Sequence, residues 1–403
     1  MKTILVTSVI ILILIILFVL SCQSQNNNND VIRIDPLNFK ENGISLSELA
    51  QDIIYIRIDN HYPIGLIYAV KIIKKSIYLS TQNTGILVFN RNGRFIRKIG
   101  SKGRGPGEYI YCMSFAVDEN SETVYVRDKD QTIKVYSKGG KFLKNIPLPK
   151  CNDGSHFEEV EIFNSYLFVS QYINMGHAEY SWIIMDTLGN LIKQKKNSIP
   201  TFPSRIGSIG GTFKFKDKIS YWNLYNDTVF TINPDLSYQP SYLFSPGEYR
   251  MPKLKIEFNS IDEFVDKLDK YIEPHLLLET DNYLVYDYYF KKKFVIALID
   301  KETKKTYLSY YNSEGGGFSN EIGGIFNDID GGLMLHPKYY FTNNHFEYLV
   351  GLLDSYHIKA HITNDEFKNS TPKYPEKKKE FEKLAESLKE TDNPVLMLVR
   401  LKN

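Results

Sequence analysis

The chain of 403 residues is 43% hydrophobic and 24% charged, the balance of a soluble body large enough to bury a substantial core. Its formal charge of +2, from 49 basic and 47 acidic residues, supplies no field for collecting nucleic acid and argues against that class of partner. The 29 tyrosines and 24 phenylalanines favour pleated, half-buried surfaces and point to a β-rich fold.

The chain opens on "MKTILVTSVIILILIILFVLSC". A lysine, an apolar run from Ile4 to Leu20 and a small residue, Ser21, directly before Cys22 form a secretion signal over residues 1–21. A cysteine at the end of the run, followed by the polar "QSQNNNND", is what lipid attachment at Cys22 requires. A plain membrane anchor is the competing reading, because seventeen apolar residues just span a bilayer. Residues 22–45 then serve as a polar tether and lead-in, and 46–403 as the folded body.

From there short runs of strand length alternate with turns: "LIYAVKII", "SIYLST", "GILVFN", "RFIRKIG", then "SFAVD", "TVYVRD", "TIKVYS", "KFLKNIPL". The glycine-rich "GSKGRGPGEY" between the two sets lacks the Gly-Lys-Ser/Thr and following helix of a phosphate-binding loop, and Glu108 repels an anion. It reads as a corner, with Gly103, Gly105 and Gly107 bending the backbone and Pro106 fixing one dihedral.

The segments "LVFNRNGRFIRKI" and "KVYSKGGKFLKNI" align without a gap, setting Val88 on Val135, Gly93 on Gly140 and Phe95 on Phe142. The period is 47 residues; a third copy places Ile184 a further 49 on and a fourth places Val229 another 45 on. "FVIALIDKETKKTY" fits the same outline. Four short strands in a repeat of this length make a propeller blade. Gly93 and Gly140 occupy tight hairpin turns that demand positive φ.

Two insertions interrupt the pattern, at about 246–279 and 336–394. Ser260 and Glu263 form a capping box ahead of a helix in "NSIDEFVDKLDKYIEP". Helical spacing also predicts helices in "NNHFEYLVGLLDSYH", from Phe346, Leu349, Val350 and Leu353, and in "PEKKKEFEKLAESLKETDNP" up to Pro394. Six blades of about 43 residues fit what remains. "IIYIRID" and "VLMLVRLK" each lack neighbours, so pairing them in one blade closes the ring and removes an open edge. The expected fold is all-β, a six-bladed propeller with helical insertions, zipped by its N- and C-terminal strands.

With "LSC", "VFNRNGRFIRKIG", "GRGPGEY", "NDTVF" and the terminal "DNPVLMLVRLK" in view, the mature chain resembles the six-bladed β-propeller lipoproteins of Gram-negative gut anaerobes, whose blades are similar to NHL repeats. The resemblance implies an envelope location and defines no activity, so it carries no catalytic residue.

The residues themselves offer little chemistry. His156, Glu158, Glu159 and Glu161 cluster in "SHFEEVEIF" at an expected inner strand, either as a solvated edge or as carboxylates around a channel metal. The tyrosines of "YLVYDYYF" and "SYWNLYND" serve packing or present rings to a sugar or peptide. Cys112 and Cys151 form no disulfide framework, and unpaired thiols are the favoured state. No catalytic, metal or cofactor set is assigned. The favoured reading is a lipid-anchored binding scaffold of the cell envelope, with Gln23 after the lipidated cysteine directing it to the outer membrane and a glycan, peptide or envelope protein as partner. The alternative is a metal-dependent hydrolase or lyase working in the propeller channel.

Overall fold

The computed structural model describes residues 31–313 and 321–402; the signal segment and Cys22 lie outside them. Among the described residues the strands form six sheets, each built on four antiparallel strands. In chain order the first three blades are Ile67–Ile72, Ser76–Thr81, Gly85–Asn90 and Phe95–Ile99; Ser114–Val117, Val124–Arg127, Thr132–Tyr136 and Phe142–Pro147; and Glu159–Phe163, Tyr166–Ser170, Tyr180–Met185 and Leu191–Lys196. Blade four is Gly210–Phe215, Lys218–Asn223, Asn226–Ile232 and Tyr238–Phe244; blade five is Glu273–Glu279, Tyr283–Phe290, Lys293–Asp300 and Thr306–Ser313, with Glu321–Gly323 as an extra edge. Val88, Val135, Ile184 and Val229 all sit in third strands, and so does "FVIALID". The period in the sequence is therefore the blade period.

Blade six is built from both ends of the body: Tyr339–Asn343, Phe346–Leu353, Val395–Leu401 and, outermost, Ala50–Arg57. The terminal strands run antiparallel, with Ile53 opposite Val399 and Tyr55 opposite Met397, as closure requires. The lead-in also joins the ring. Ile32–Ile34 pairs parallel to Tyr242–Phe244 of blade four, the Leu308 amide of blade five donates to the Asn42 carbonyl at 2.9 Å, and Ser47 bonds Asp328. This strap covers outer edges that would otherwise present unpaired backbone groups.

One expected helix is a strand. "FEYLVGLL" forms the second strand of blade six, buried along nearly its whole length. Its apolar residues satisfy helical spacing, but they also form an unbroken run, which is how a strand covered on both faces reads. The preceding Asn344 and His345, both at positive φ, make the tight turn of a hairpin. The helical part of that insertion is shorter than 336–394. With α1 the turn at Leu46–Leu49 and α2 the helix Ile261–Leu268, it consists of α3, Ser355–Thr363, α4, Asp365–Asn369, and α5, Pro375–Ser387. The first insertion likewise ends early, because Glu273–Glu279 is the inner strand of blade five. At α2 the Ser260 hydroxyl accepts the Glu263 amide at 3.1 Å, while the Glu263 carboxylate takes the Asn259 amide at 2.7 Å.

The core is laid down between neighbouring blades. Ile77, Leu79, Leu87 and Phe89 of blade one pack with Val350, Leu396 and Leu398 of blade six, while Tyr78, Ile86 and Val88 face Phe115, Val124 and Val126 of blade two. The glycines of the hairpin turns serve this contact as well as the turn. Gly93 and Gly140 have φ of +79° and +86°, and a Cβ on either would collide with a carbonyl at the outer-strand end of the preceding blade, that of Arg57 or of Lys98. The amides and carbonyls there complete the joint: Asp59 donates to Gly93 at 2.9 Å and Gly100 to Gly140 at 3.1 Å.

The "GSKGRGPGEY" run is the corner between blades one and two. Its own Glu108 carboxylate takes the Gly105 amide at 2.8 Å and the Ser101 hydroxyl at 3.2 Å, which fills the position an anion would need. The fully buried Tyr109 donates its hydroxyl to the Ile99 carbonyl and accepts the Ile86 amide. Gly107 lies at φ +77°, and a Cβ there would come within 2.7 Å of Cγ of Phe142. Replacing Gly107 with Val adds left-handed backbone strain to that clash and is expected to cost at least ~1–3 kcal/mol of stability; thermal melting checks it, and an unchanged midpoint would show that the corner tolerates a side chain. Deleting Pro394–Asn403 removes a strand that has partners on both sides, Ala50–Arg57 and Phe346–Leu353. The expected product is aggregated, which size-exclusion chromatography reports; a soluble monomer with native far-ultraviolet dichroism would contradict ring closure.

Candidate functional site

Within every blade the antiparallel order puts two sets of connections at one end of the ring: those entering the inner strand and those joining the second strand to the third. Both helical insertions belong to this end, α2 before the inner strand of blade five and α3–α5 between the second and third strands of blade six. The chain's long loops therefore gather on one face.

The expected channel chemistry is spoken for by protein partners. Glu161 is paired with Lys71 of blade one and lies 3.9 Å from Lys214 of blade four. Glu158 meets Arg127 at 3.5 Å and accepts the Ser208 hydroxyl, and Glu159 accepts hydroxyls from Tyr172 at 2.6 Å and Thr212 at 2.7 Å. Burial pushes the Glu159 carboxyl above its ordinary range, against the pull of those two hydroxyls. His156 is exposed outside this set. Cations and hydroxyls, rather than further carboxylates, surround these acids.

The tyrosine clusters are core. Tyr221, Trp222 and Tyr225 are buried, as are Tyr286 and Tyr288, and Tyr172 stacks on Tyr221 at 5.8 Å between ring centroids. Cys112 and Cys151 are free thiols in separate surroundings. Cys151 does approach Asp153 and Glu179, with potential ligand atoms of all three within 4.8 Å of one another. Those atoms are already engaged: Glu179 takes the Asn152 amide at 2.5 Å, Asp153 takes Ser155, and Gln171 lies on the sulfur at 3.5 Å. Burial also pushes the Cys151 thiol up, toward the protonated form that does not bind metal.

A different site lies under the helices. A cavity of about 310 Å³ opens between the start of blade one, the segment entering blade six, and α3. Its lining combines aliphatic side chains, Leu66, Ile67, Leu333, Leu352 and Leu353, with the polar His336, Lys338, His357 and His361 and with Asp354 at the helix start. None of the described lining residues is Tyr, Phe or Trp; histidine and aliphatic chains line the cavity, and the rings of the two tyrosine clusters do not. His357 and His361 stand four residues apart on α3 and so share a face of that helix.

Each polar group is held from behind. His336, buried, places Nε2 2.8 Å from Oδ2 of Asp287, a residue of the second strand of blade five. The Tyr311 hydroxyl donates to the other Asp287 oxygen at 2.8 Å, and His275 Nδ1 stands 3.8 Å from it. Burial alone would raise the Asp287 carboxyl, but the His336 hydrogen bond and the charges of His336, His275 and Lys338 outweigh it and hold it below the ordinary aspartate range. His361 Nε2 lies 2.8 Å from the Gly331 carbonyl, and its ring packs on Phe367 at 5.1 Å. Asp354 is pushed up by burial, partly opposed by His357.

Buried rings and buried polar ties fix the helical cap to the ring. Ile358, Phe367, Phe381 and Ala385 are buried beneath it. Tyr55 of the closing strand donates to Asp330 at 2.8 Å, and Lys377 of α5 reaches Asp52 at 2.5 Å. Lys378 caps α4 by donating to the Phe367 carbonyl at 2.6 Å. No sequence motif marks this site. The His357–His361 spacing is its one local trace, since the remaining residues come from three blades.

A propeller with such a cavity beneath a helical cap in its closing blade is the class of protein defined here. The chain belongs to the DUF4934 family, a domain of unknown function whose model matches residues 29–400. No curated protein matches the sequence. Among solved structures it is similar to a Bacteroides fragilis protein described as exported, at 20% identity and a TM-score of 0.63, over 92% of this chain and 99% of that one. It also aligns with a DUF4221 family member from Bacteroides vulgatus, at 11% identity and a TM-score of 0.47, over 88% and 98% of the two chains. Among the described residues no helix is long and apolar enough to cross a membrane.

Because the folded-state pKa of Asp287 is depressed, its pairing stabilises the protein above the ordinary aspartate value of about 4 and is lost as pH falls through the depressed one. Asp287→Asn is therefore expected to lose about 1–3 kcal/mol at neutral pH, with the two proteins converging as the medium is made strongly acidic. Urea unfolding across that range checks it; a gap that widens on acidification would contradict the pairing.

Proposed function

We propose that this chain is a lipid-anchored binding protein of the cell envelope, with NHL-like blades forming a rigid ring and the helix-capped cavity as its ligand seat. The cavity carries the reading. At about 310 Å³ it lies within the size range of small-ligand sites, is mostly apolar, and has a few polar groups in its lining. The polar groups are pre-positioned from behind, as His336 is by Asp287 and His361 by the Gly331 carbonyl, which reduces the ordering that a ligand must impose.

Anchoring rests on the "VLSC" run ending at Cys22 and the polar tract after it, with Gln23 favouring the outer membrane. The export described for the Bacteroides fragilis relative agrees with an envelope address. Of the expected ligands, a peptide suits the lining better than a glycan, because none of the described lining residues gives an aromatic platform for a sugar ring.

The Asp287–His336 pair favours a second reading. A carboxylate that orients an imidazole at a cavity wall is the arrangement of a general base, so a hydrolase or lyase would work here rather than on a metal in the channel.

Cys22→Ala is expected to move the protein from the membrane to the soluble fraction or to stall its processing, which fractionation and lipid labelling measure. Wild-type protein bound to membranes without lipid would contradict the anchor. Ala360 lines the cavity, and Ala360→Trp is expected to fill it and abolish binding of any ligand found by screening peptides, glycans and small molecules. A ligand indifferent to that change would place the seat elsewhere. Turnover of ester or lactone substrates that His336→Gln removes would promote the enzyme.

A further inference from the structure

The outer strands of blades one, two and three share an irregularity. Phe95 lies opposite Phe89 and Arg97 opposite Val88, so Ile96 between them has no cross-strand partner. Leu143 and Ile192 are extra in the same way, each between two paired residues of its strand. A bulge of this kind leaves the added residue out of the ladder, and these three side chains are 44%, 52% and 46% exposed. The outer strands of blades four and six also bulge, but there the extra residues are Ser241 and Gln51. Bulges and lysines ordinarily protect a free edge from pairing with another chain. A large aliphatic side chain in the bulge adds nothing to that protection and leaves apolar surface in water.

The same three strands are basic. They hold Arg97, Lys98, Lys144, Lys193, Lys195 and Lys196 and no acidic residue, whereas Tyr238–Phe244 and Thr306–Ser313 of blades four and five hold no charged residue. Arg97 is matched by Glu122 at 3.4 Å. Toward blade four the cations instead reach carbonyls and rings, which leaves their charge standing: Lys144 donates to the Thr187 carbonyl at 2.6 Å, Lys193 to the Leu236 carbonyl at 2.7 Å, and Lys195 lies 4.4 Å from the Tyr238 ring centre. These contacts set the edges of blades two, three and four side by side. The exposed Leu143, Leu188, Leu191, Ile192 and Tyr238 therefore stand among lysines. The hairpin acids beside them, Asp186 and Asp235, accept amides of their own turns.

We infer that the rim of blades two to four is a membrane-docking surface, its aliphatic side chains entering the interface of a bilayer and its lysines meeting anionic headgroups. Apolar side chains set among lysines are the combination that binds at such an interface, and lipid phosphates supply the complementary charge. The entry of the chain points the same way. Ile32 pairs parallel with Tyr242 in the strand that Tyr238 begins, so the lead-in runs up the edge of blade four from the Tyr238 side. Cys22 is ten residues earlier than Ile32, no more than about 36 Å of extended chain. A compact body of this length is about 50 Å across, so a lipid at Cys22 keeps the blade-four side of the ring near the bilayer. That step rests on the anchor proposed above; the pattern of bulges and lysines stands without it. In a ring of six, blade three is opposite blade six, so docking this rim turns the helical cap and its cavity away from the membrane.

The test uses the full mature chain carrying Cys22→Ala, which has no lipid, sedimented with vesicles of phosphatidylcholine alone or with about 30% phosphatidylglycerol to supply negative charge. Binding to the charged vesicles is expected to be at least tenfold tighter, and to be lost in about 0.5 M salt, which screens surface charge. Leu188→Ser with Ile192→Ser, and Lys195→Gln with Lys196→Gln, should each weaken it at least fivefold, with melting temperature as the check on folding. Tyr356→Ser, at an exposed residue of the cap, should leave it unchanged. Binding that survives both double substitutions would overturn the rim as the contact, and a loss confined to the lysine pair would overturn the entry of aliphatic side chains. No binding to charged vesicles would overturn the membrane as partner; polyglutamate bound in their place through Lys195 and Lys196 would mark an acidic protein instead. A salt wash of cell membranes keeps the anchor and the rim apart. It should strip the Cys22→Ala chain and leave the lipidated wild type, and a wild type stripped by salt would contradict the anchor alone.

Discussion

The pairing of Ala50–Arg57 with Val395–Leu401 is the constraint on which the rest depends. A propeller is a strip of sheets that must be bent until its ends meet, and here the ends meet through backbone hydrogen bonds within one blade. Val395–Leu401 also pairs with Phe346–Leu353, so the same strand binds the chain's N-terminal segment and its last hairpin. The inter-blade core between blades six and one, with Ile56 and Leu396 against Ile77 and Leu87, forms only when that strand is in place. The helical cap is spliced directly ahead of it, between Leu353 and Val395. Closure of the ring and the shape of the cavity are therefore set by one strand.

The inter-blade joints explain why so few special residues are needed. A hairpin glycine in blade one or two admits the end of the preceding outer strand, and a residue with a side chain in either place would push the blades apart. Tyr109 works at the corner in the same way, tying Ile86 of the third strand to Ile99 of the outer strand through one buried hydroxyl. Burying that hydroxyl is tolerable because both of its hydrogen-bonding capacities are met. The result is a stiff frame whose long loops are free to vary on one face, the usual division between a scaffold and the loops that carry function.

Much of the fold was legible because propeller blades repeat. The alignment of Val88, Gly93 and Phe95 with Val135, Gly140 and Phe142 reports equivalent structural positions, and "IIYIRID" and "VLMLVRLK" announced closure because neither has enough neighbours nearby in the sequence to complete a sheet. Phe346–Leu353 misled because a strand buried on both faces does not alternate, and its leucines fall on helical spacing by composition. The tyrosines of "YLVYDYYF" pointed to a binding face, yet in a ring with cores between all blades such strands have no open face to offer. The histidine cavity was illegible for another reason. His336, His357, His361 and Asp287 belong to segments that only the ring brings together, and no local pattern records that meeting.

Hydrogen exchange on the full chain tests the central claim that the termini lock the ring. Backbone amides in Ile53–Ile56 and Leu396–Val399 should exchange as slowly as those in the middle strands of blades one and five, because opening the closing blade exposes the cores on either side of it and so amounts to global unfolding. Fast exchange in blade six while the other five blades remain protected would show that the ring stands without its zip, and would contradict the account.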